Sequence, residues 1–339
     1  MFLILAARTK ASRRAAFRYV LMHMVGGLVL MAGILMQIMD VGSTAVEAIQ
    51  LGSVSSYLMF IGFGLNAGWP LLHTWIKDAY PEASIGGAVI LSSITTKTAV
   101  YVLARMFPGA DPLIWIGAAM TIFPIFFAVI ENDLRRVLSY SLINQLGYMM
   151  VGIGLGTELS LNGTAAHIFA HIFYKSLLFM AIGAVIYRTG TAKASELGGL
   201  AKSMPWTCAF CIIGALSISA VPLFSGFVSK SLIMSAAIHE HYVWVWVILL
   251  VASAGVLEHA GIKVPYFAFF GHDAKWKVKE APINMLIAMG GAAIICIGVG
   301  VFPGVLYALL PFEVSYVPYT FDHVLSQLQL LSFAGLSVW

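Results

Sequence analysis

Nine apolar stretches divide the chain, at about 18–39, 54–76, 83–106, 111–131, 137–155, 164–187, 206–237, 242–271 and 282–311. Each is long enough to cross a bilayer core as a helix, which takes about 20 residues. Nothing else in the sequence limits the fold so strongly. A backbone in hydrocarbon must satisfy its own hydrogen bonds, so only helices and closed barrels can span. Barrel strands alternate apolar and polar residues in short segments; these runs are continuous, which excludes a barrel. The fold class is an all-α polytopic membrane protein. Only 10% of residues are charged and 60% are hydrophobic, and the mean hydropathy is +0.91. A soluble domain carries about 25% charged residues. We read 1–339 as one transmembrane domain with about nine full spans and a partial span at each end. Residues 1–7 are apolar but too short to span and lack the basic start of a signal peptide. The final stretch, 323–339, stops abruptly at Trp339. Both ends read as cut.

Basic residues orient the spans. The stretch 7–14, ARTKASRR, reads as a basic loop on the inner side. If every span crosses once, Arg8, Lys10, Arg13, Arg14, Arg18, Lys77, Arg135, Arg136, Arg188, Lys193, Lys202, Lys275, Lys277 and Lys279 share that side, and only Arg105 lies opposite. The net charge of +4 therefore reports topology, and no nucleic-acid partner is implied.

Two spans are interrupted. In 54–76 the break is Ala67, Gly68, Trp69 and Pro70; in 206–237 it is Val221, Pro222, Leu223, Phe224, Ser225 and Gly226. Proline removes a helix hydrogen bond and clashes with the preceding turn. Broken spans at corresponding places in two halves point to an ion or substrate site near the midplane. These two lie five spans apart, an odd offset, which predicts inverted repeats.

Three lysines stand near mid-span: Lys97, among Ser92, Ser93, Thr95, Thr96 and Thr98; Lys175; and Lys230, just after the second break. Ionisable groups at that depth are functional-site hypotheses by default. His167, His171 and Lys175 are spaced i, i+4, i+8 and share one helix face. Such groups joined by water make a proton relay; the alternative is that each lysine snorkels or pairs structurally. Glu258, His259 and Lys263 read equally as the exit of that relay or, for Lys263, as a snorkelling side chain. His73, three residues past the first break, is a further candidate for the polar axis. Glu131 reads as part of a polar cap with Asp133, Arg135 and Arg136, and His23 as a satisfied packing residue. Trp244 and Trp246 fit an interfacial belt. Cys208, Cys211 and Cys296 lie in apolar runs and read as packing residues, not a metal or redox site. No nucleotide, haem or metal motif is present. No cofactor is expected, and no catalytic site on this chain.

Five stretches carry a family resemblance: PLLHTWIKDAYPEAS (70–84), TTKTAVYVLAR (95–105), NDLRRVLSYSLINQLGY (132–148), HIFAHIFYKSLLFMAIGAV (167–185) and VPLFSGFVSKSLI (221–233). Together they resemble the proton-conducting antiporter-like family: the D and A subunits of Mrp-type Na+/H+ antiporters, the D type most, and the large membrane-arm subunits of respiratory complex I, the NADH:quinone oxidoreductase. The resemblance implies inverted five-helix repeats, broken seventh and twelfth helices and a hydrophilic axis at the midplane. On that map 54–76 is the seventh helix and 83–106 the eighth. Residues 18–106 end the first repeat, 111–271 form the second, and 282–339 are C-terminal helices. Lys97 matches the central-axis lysine, His171 and Lys175 the eleventh-helix positions, and Lys230 the charged position of the twelfth. Two departures stand out. The fifth-helix glutamate has no counterpart, and the seventh-helix lysine falls at Asn66, which cannot carry a proton as a charge.

The expected function is a proton- or cation-translocating subunit of a multisubunit complex in a bacterial inner membrane. Its partners would be other membrane subunits, the lipid bilayer, protons and Na+. A stand-alone carrier for a small solute suits the inverted repeats as well, and a transport-silent structural subunit suits Asn66.

Overall fold

A computed structural model describes residues 1–336, so the chain end at Trp339 lies outside the described residues. In chain order the main helices are α1 (Lys10–Val41), α2 (Val54–Ala67), α3 (Thr74–Glu82), α4 (Ile85–Met106), α5 (Pro112–Ile130), α6 (Leu134–Leu155), α7 (Glu158–Thr189), α8 (Pro205–Ile218), α9 (Ser225–His239), α10 (Val243–Phe270), α11 (Ile283–Val301) and α12 (Phe321–Leu336). Among the described residues six helices are long and apolar enough to cross a membrane unaided: α1, α4, α5, α7, α10 and α11. The other three of the nine expected passages are α2 with α3, α8 with α9, and α6, which carries Arg135, Arg136, Asn144 and Gln145 in its 22 residues.

Two boundaries differ from expectation. The stretch 7–14 is helical from Lys10 onward. Thr9 and Ser12 form a reciprocal cap, with the Ser12 amide donating to Thr9 Oγ1 at 2.9 Å and the Thr9 amide to Ser12 Oγ at 3.0 Å. That satisfies free amides of the first turn and fixes the start. The stretch 282–311 is not one helix. α11 stops at Val301, and a short helix, Pro303–Tyr307, begins afresh. Proline cannot donate to a continuing helix but is suited to a first turn.

The core is built around α6, of which nearly every residue from Leu134 to Gly154 is buried. α5 lies tight against it. A Cβ on Gly117 would stand 2.6 Å from the Val151 amide and 2.7 Å from the Gly147 carbonyl, so the two backbones meet at glycine. Small residues at such crossings let helices associate in lipid, where dispersion replaces the hydrophobic drive. α7 packs against α6, α8, α9, α11 and the first part of α4. α1 is peripheral and presents Phe17, Met24, Leu28, Met31 and Met39 outward.

Residues assigned to the inner side are knitted together. Arg18 pairs with Asp78 at 2.6 Å. Arg135 donates to the carbonyls of Ala83 at 2.8 Å and Tyr80 at 3.2 Å, across the end of α3. The Arg188 guanidinium donates to the Glu280 carbonyl, while the Glu280 carboxylate accepts from the Trp206 amide at 2.8 Å. Asp133 accepts from the amides of Arg135 and Arg136 and caps α6; Glu131 accepts from those of Asn132 and Asp133.

Candidate functional site

The breaks are made differently. α2 ends on Gly68, whose φ of 76° is the left-handed geometry that favours glycine. Pro70 follows, and Leu71 also takes a positive φ of 70°. His73 then stands just before α3 and makes no side-chain cap to it; its ring lies 4.8 Å from that of Phe123, and its Nδ1 is buried without a partner. At the second break, flanked by Pro222 and Gly226, Ala220 (φ 57°) and Leu223 (φ 75°) hold left-handed backbone without glycine. Such residues cost on the order of 1–3 kcal/mol each and persist where packing over-determines them. Gly226 lies directly on the Ser217 carbonyl, where a Cβ has no room.

Each mid-span lysine is buried and rests on a backbone carbonyl. Lys97, 4% exposed, donates to Ser92 O at 2.5 Å, with Thr96 Oγ1 at 3.4 Å. It follows a π-helical turn, Leu91–Thr95, a local widening that occurs often at functional sites. Lys175, 0% exposed, donates to Leu138 O of α6 at 3.3 Å. Lys230, 1% exposed, donates to Ile218 O at 2.7 Å. Ile218 is the last residue of α8, so the amine stands at the negative end of that helix. The same amine lies over the Tyr148 ring, 5.2 Å from its centroid.

Between these lysines runs a line of polar groups. Ser93 of α4 meets Ser176 of α7 at 2.6 Å, linking the Lys97 and Lys175 helices. The His171 and His167 rings are 6.2 Å apart. His171 has no hydrogen-bond partner on either ring nitrogen, though it is fully buried. His167 Nδ1 meets Ser229 Oγ at 3.1 Å, one residue from Lys230. Its Nε2 is 3.4 Å from the Tyr174 hydroxyl, which donates to Gln145 at 3.1 Å; Gln145 in turn donates to Asn144 at 2.5 Å. The Asn144 amide donates to the Thr121 carbonyl and the Tyr148 hydroxyl to that of Leu249. The structure thus buries Lys97, His171, Lys175, His167 and Lys230 on α4, α7 and α9, of which α7 packs against the other two.

Other sequence candidates make no hydrogen bond to these residues. Lys263 donates to the carbonyls of Ala128 at 3.1 Å, Val129 at 2.6 Å and Glu131 at 2.6 Å. It caps the end of α5. Glu258 and His259 lie in a second π-helical turn, Leu257–Ile262, and line a cavity with Lys263. Asn66 donates to the carbonyl of Gly62 on its own helix at 3.3 Å and faces a cavity of about 310 Å³ with His23, Thr95 and Thr98. His23 is only half satisfied: Nδ1 meets the Tyr19 carbonyl at 2.8 Å, while Nε2 is buried and unpartnered. Sequence reasoning assigned no role to Asn144, Gln145, Tyr148, Tyr174 or Ser229. The available signal was uncharged polar residues at mid-span depth, notably the Asn144–Gln145 pair.

Residues 1–255 match the family model described as NADH:quinone oxidoreductase/Mrp antiporter, TM. Hydrogenase-4 component B of Escherichia coli is 28% identical across 87% of this chain and 50% of its own length. The D-type subunit of the Na+/H+ antiporter of Alkalihalophilus pseudofirmus is 31% identical across 85% of this chain and 64% of its own length. The chain therefore spans 50% and 64% of the length of these two curated relatives. In fold it is similar to a chain of the Mrp complex from a Dietzia species, with a TM-score of 0.83 and 18% identity over 97% of this chain and 70% of that one. A chain of respiratory complex I from Thermus thermophilus gives 0.77 and 21% over 88% and 69%. The chain belongs to the NADH:quinone oxidoreductase/Mrp antiporter transmembrane family.

Proposed function

We propose that the chain is a proton- or cation-translocating subunit of a multisubunit membrane complex, Mrp-like or complex I-like, and that Lys97, His171, Lys175, His167 and Lys230 are its relay. The observation that carries this reading is how the three amines are held. Among the described residues none forms an ion pair; each rests on carbonyl oxygens. Lys263 has its three donors filled by three carbonyls, whereas each of these three amines rests on one carbonyl and keeps at least one donor to spare. A carbonyl serves charged and neutral amines alike, which is what a group that gains and loses a proton requires. Residues 18–106 and 111–271 act as the parts of two repeats. Asn66 takes up no proton, so the relay begins at Lys97. Asn66 is also the one observation that favours a transport-silent structural subunit. The chain works in a bacterial inner membrane, with other membrane subunits and lipid against α1 and α12, and with protons or Na+ as cargo.

Lys97→Ala separates the readings. In membrane vesicles it should abolish proton or sodium flux while the complex assembles normally, because alanine removes both the proton site and the cost of burying a charge, about 2.5–3.5 kcal/mol on insertion scales. Normal flux would refute the relay. Flux and assembly lost together would favour the structural role.

A further inference from the structure

A groove of about 670 Å³ runs between α1, α2 and α4, at the end of α1 far from its basic start. Its lining is graded with depth. Leu30 of α1, Phe63 of α2 and Val102 of α4 make an apolar floor toward mid-span. Gln37, Ser43 and Arg105 make a polar rim at the helix ends. From Leu30 to the end of α1 at Val41 the helix rises about 16 Å. That is about half of a hydrocarbon core of ~30 Å, the depth of one leaflet.

We propose that one phospholipid occupies this groove, its phosphate on Arg105 and an acyl chain between α1, α2 and α4. Charge and grading choose this occupant together. Arg105 is exposed and lies beside Tyr101, whose hydroxyl accepts from its Nη1 at 3.2 Å. It forms no ion pair among the described residues, so most of its five donors are unengaged. A guanidinium presents a fork that fits phosphate oxygens two at a time. Gln37 accepts from the Ser55 hydroxyl at 2.8 Å through Oε1, which leaves its amide N–H groups to donate. Asp40 and Glu47, the acidic residues of this stretch, do not line the groove, so no carboxylate opposes an anion there. A phospholipid carries its phosphate at the interface and its tail below, the same order as rim and floor.

The floor has a second face. Leu30, Phe63 and Val102 also wall the cavity that holds Asn66, Thr95 and Thr98. An acyl tail in the groove therefore forms one side of that cavity, next to the turn that carries Lys97. The site does not depend on the relay reading.

The test uses the assembled complex in phosphatidylcholine vesicles that contain phosphatidylcholine with a photoactivatable diazirine at the end of one acyl chain. After illumination, mass spectrometry of the digested chain maps the label. In the parent, Phe63 and Ile34 in the groove should be labelled, beside Leu28 and Met31 on the outward face of α1. Arg105→Gln should lower labelling in the groove at least fivefold and leave Leu28 and Met31 unchanged. Arg105→Lys keeps a cation for the phosphate and should retain most of it. Ile34→Trp fills the groove and should remove the label from Phe63. A parent without label in the groove would mean that a protein segment covers it, and would overturn the proposal. Labelling in Arg105→Gln equal to the parent would overturn it too, because lipid would then wet the groove without being held. If one of these two variants fails to assemble, the other decides: an unchanged Phe63 label refutes the site and a lost one supports it.

Discussion

Replacing Lys230 tests the relay where its geometry is best defined. In Lys230→Met the side chain loses one atom but keeps an apolar stem, so little space opens. What is lost is a charge-assisted bond to Ile218 O, worth about 1.5–3 kcal/mol, and a cation at a helix C-terminus, worth about 0.3–1 kcal/mol. What is gained is release of a buried ammonium, which costs about 2.5–3.5 kcal/mol on insertion scales. The terms nearly cancel, so assembly should stay within about 1–2 kcal/mol of the parent while proton flux falls more than tenfold. Lys230→Arg sharpens the comparison. It keeps a charge and a donor for the same carbonyl, but a guanidinium does not give up its proton in a protein. Arginine should therefore support assembly and still block flux. The assay is proton uptake into inverted vesicles, normalised to complex on a native gel. Parent-like flux in Lys230→Arg would refute proton exchange at this position, whatever methionine does.

Gly226→Ala places a Cβ on the Ser217 carbonyl; overpacking of this kind costs about 1–3 kcal/mol, occasionally more, and should lower the thermal midpoint of the complex. An unchanged midpoint would mean that the break tolerates separation of its halves. Glu196→Gln tests the exposed pair with Lys193, 2.8 Å apart. The hydrogen bonds from Lys193 and Thr191 hold the Glu196 carboxyl below its ordinary range. A depressed carboxyl stabilises above its unfolded value and loses that contribution as pH falls through its folded one. Any difference from the parent should thus be small, present at neutral pH and lost as pH falls through the folded value of this carboxyl, in thermal unfolding followed across pH. A gap that widens on acidification would contradict this.

The sequence by itself determined the transmembrane architecture, because spanning depends on local hydropathy and on a backbone that satisfies itself within each segment. The same locality made both breaks legible: Gly68 with Pro70, and Pro222 with Gly226, interrupt a helix wherever they stand. It also marked Lys97, Lys175 and Lys230, since charge at mid-span is conspicuous without any fold. Packing decided the rest. His167 meets Ser229 across 62 residues of sequence, and Lys263 reaches the carbonyls of α5 from more than 130 residues away. No local pattern records such partners: the sequence marks Lys263 as a charge, and only packing brings those carbonyls to it. The π-helical turns before Lys97 and at His259 have no sequence signature either. They follow from how neighbouring helices press on one turn, and that pressure exists only in the assembled fold.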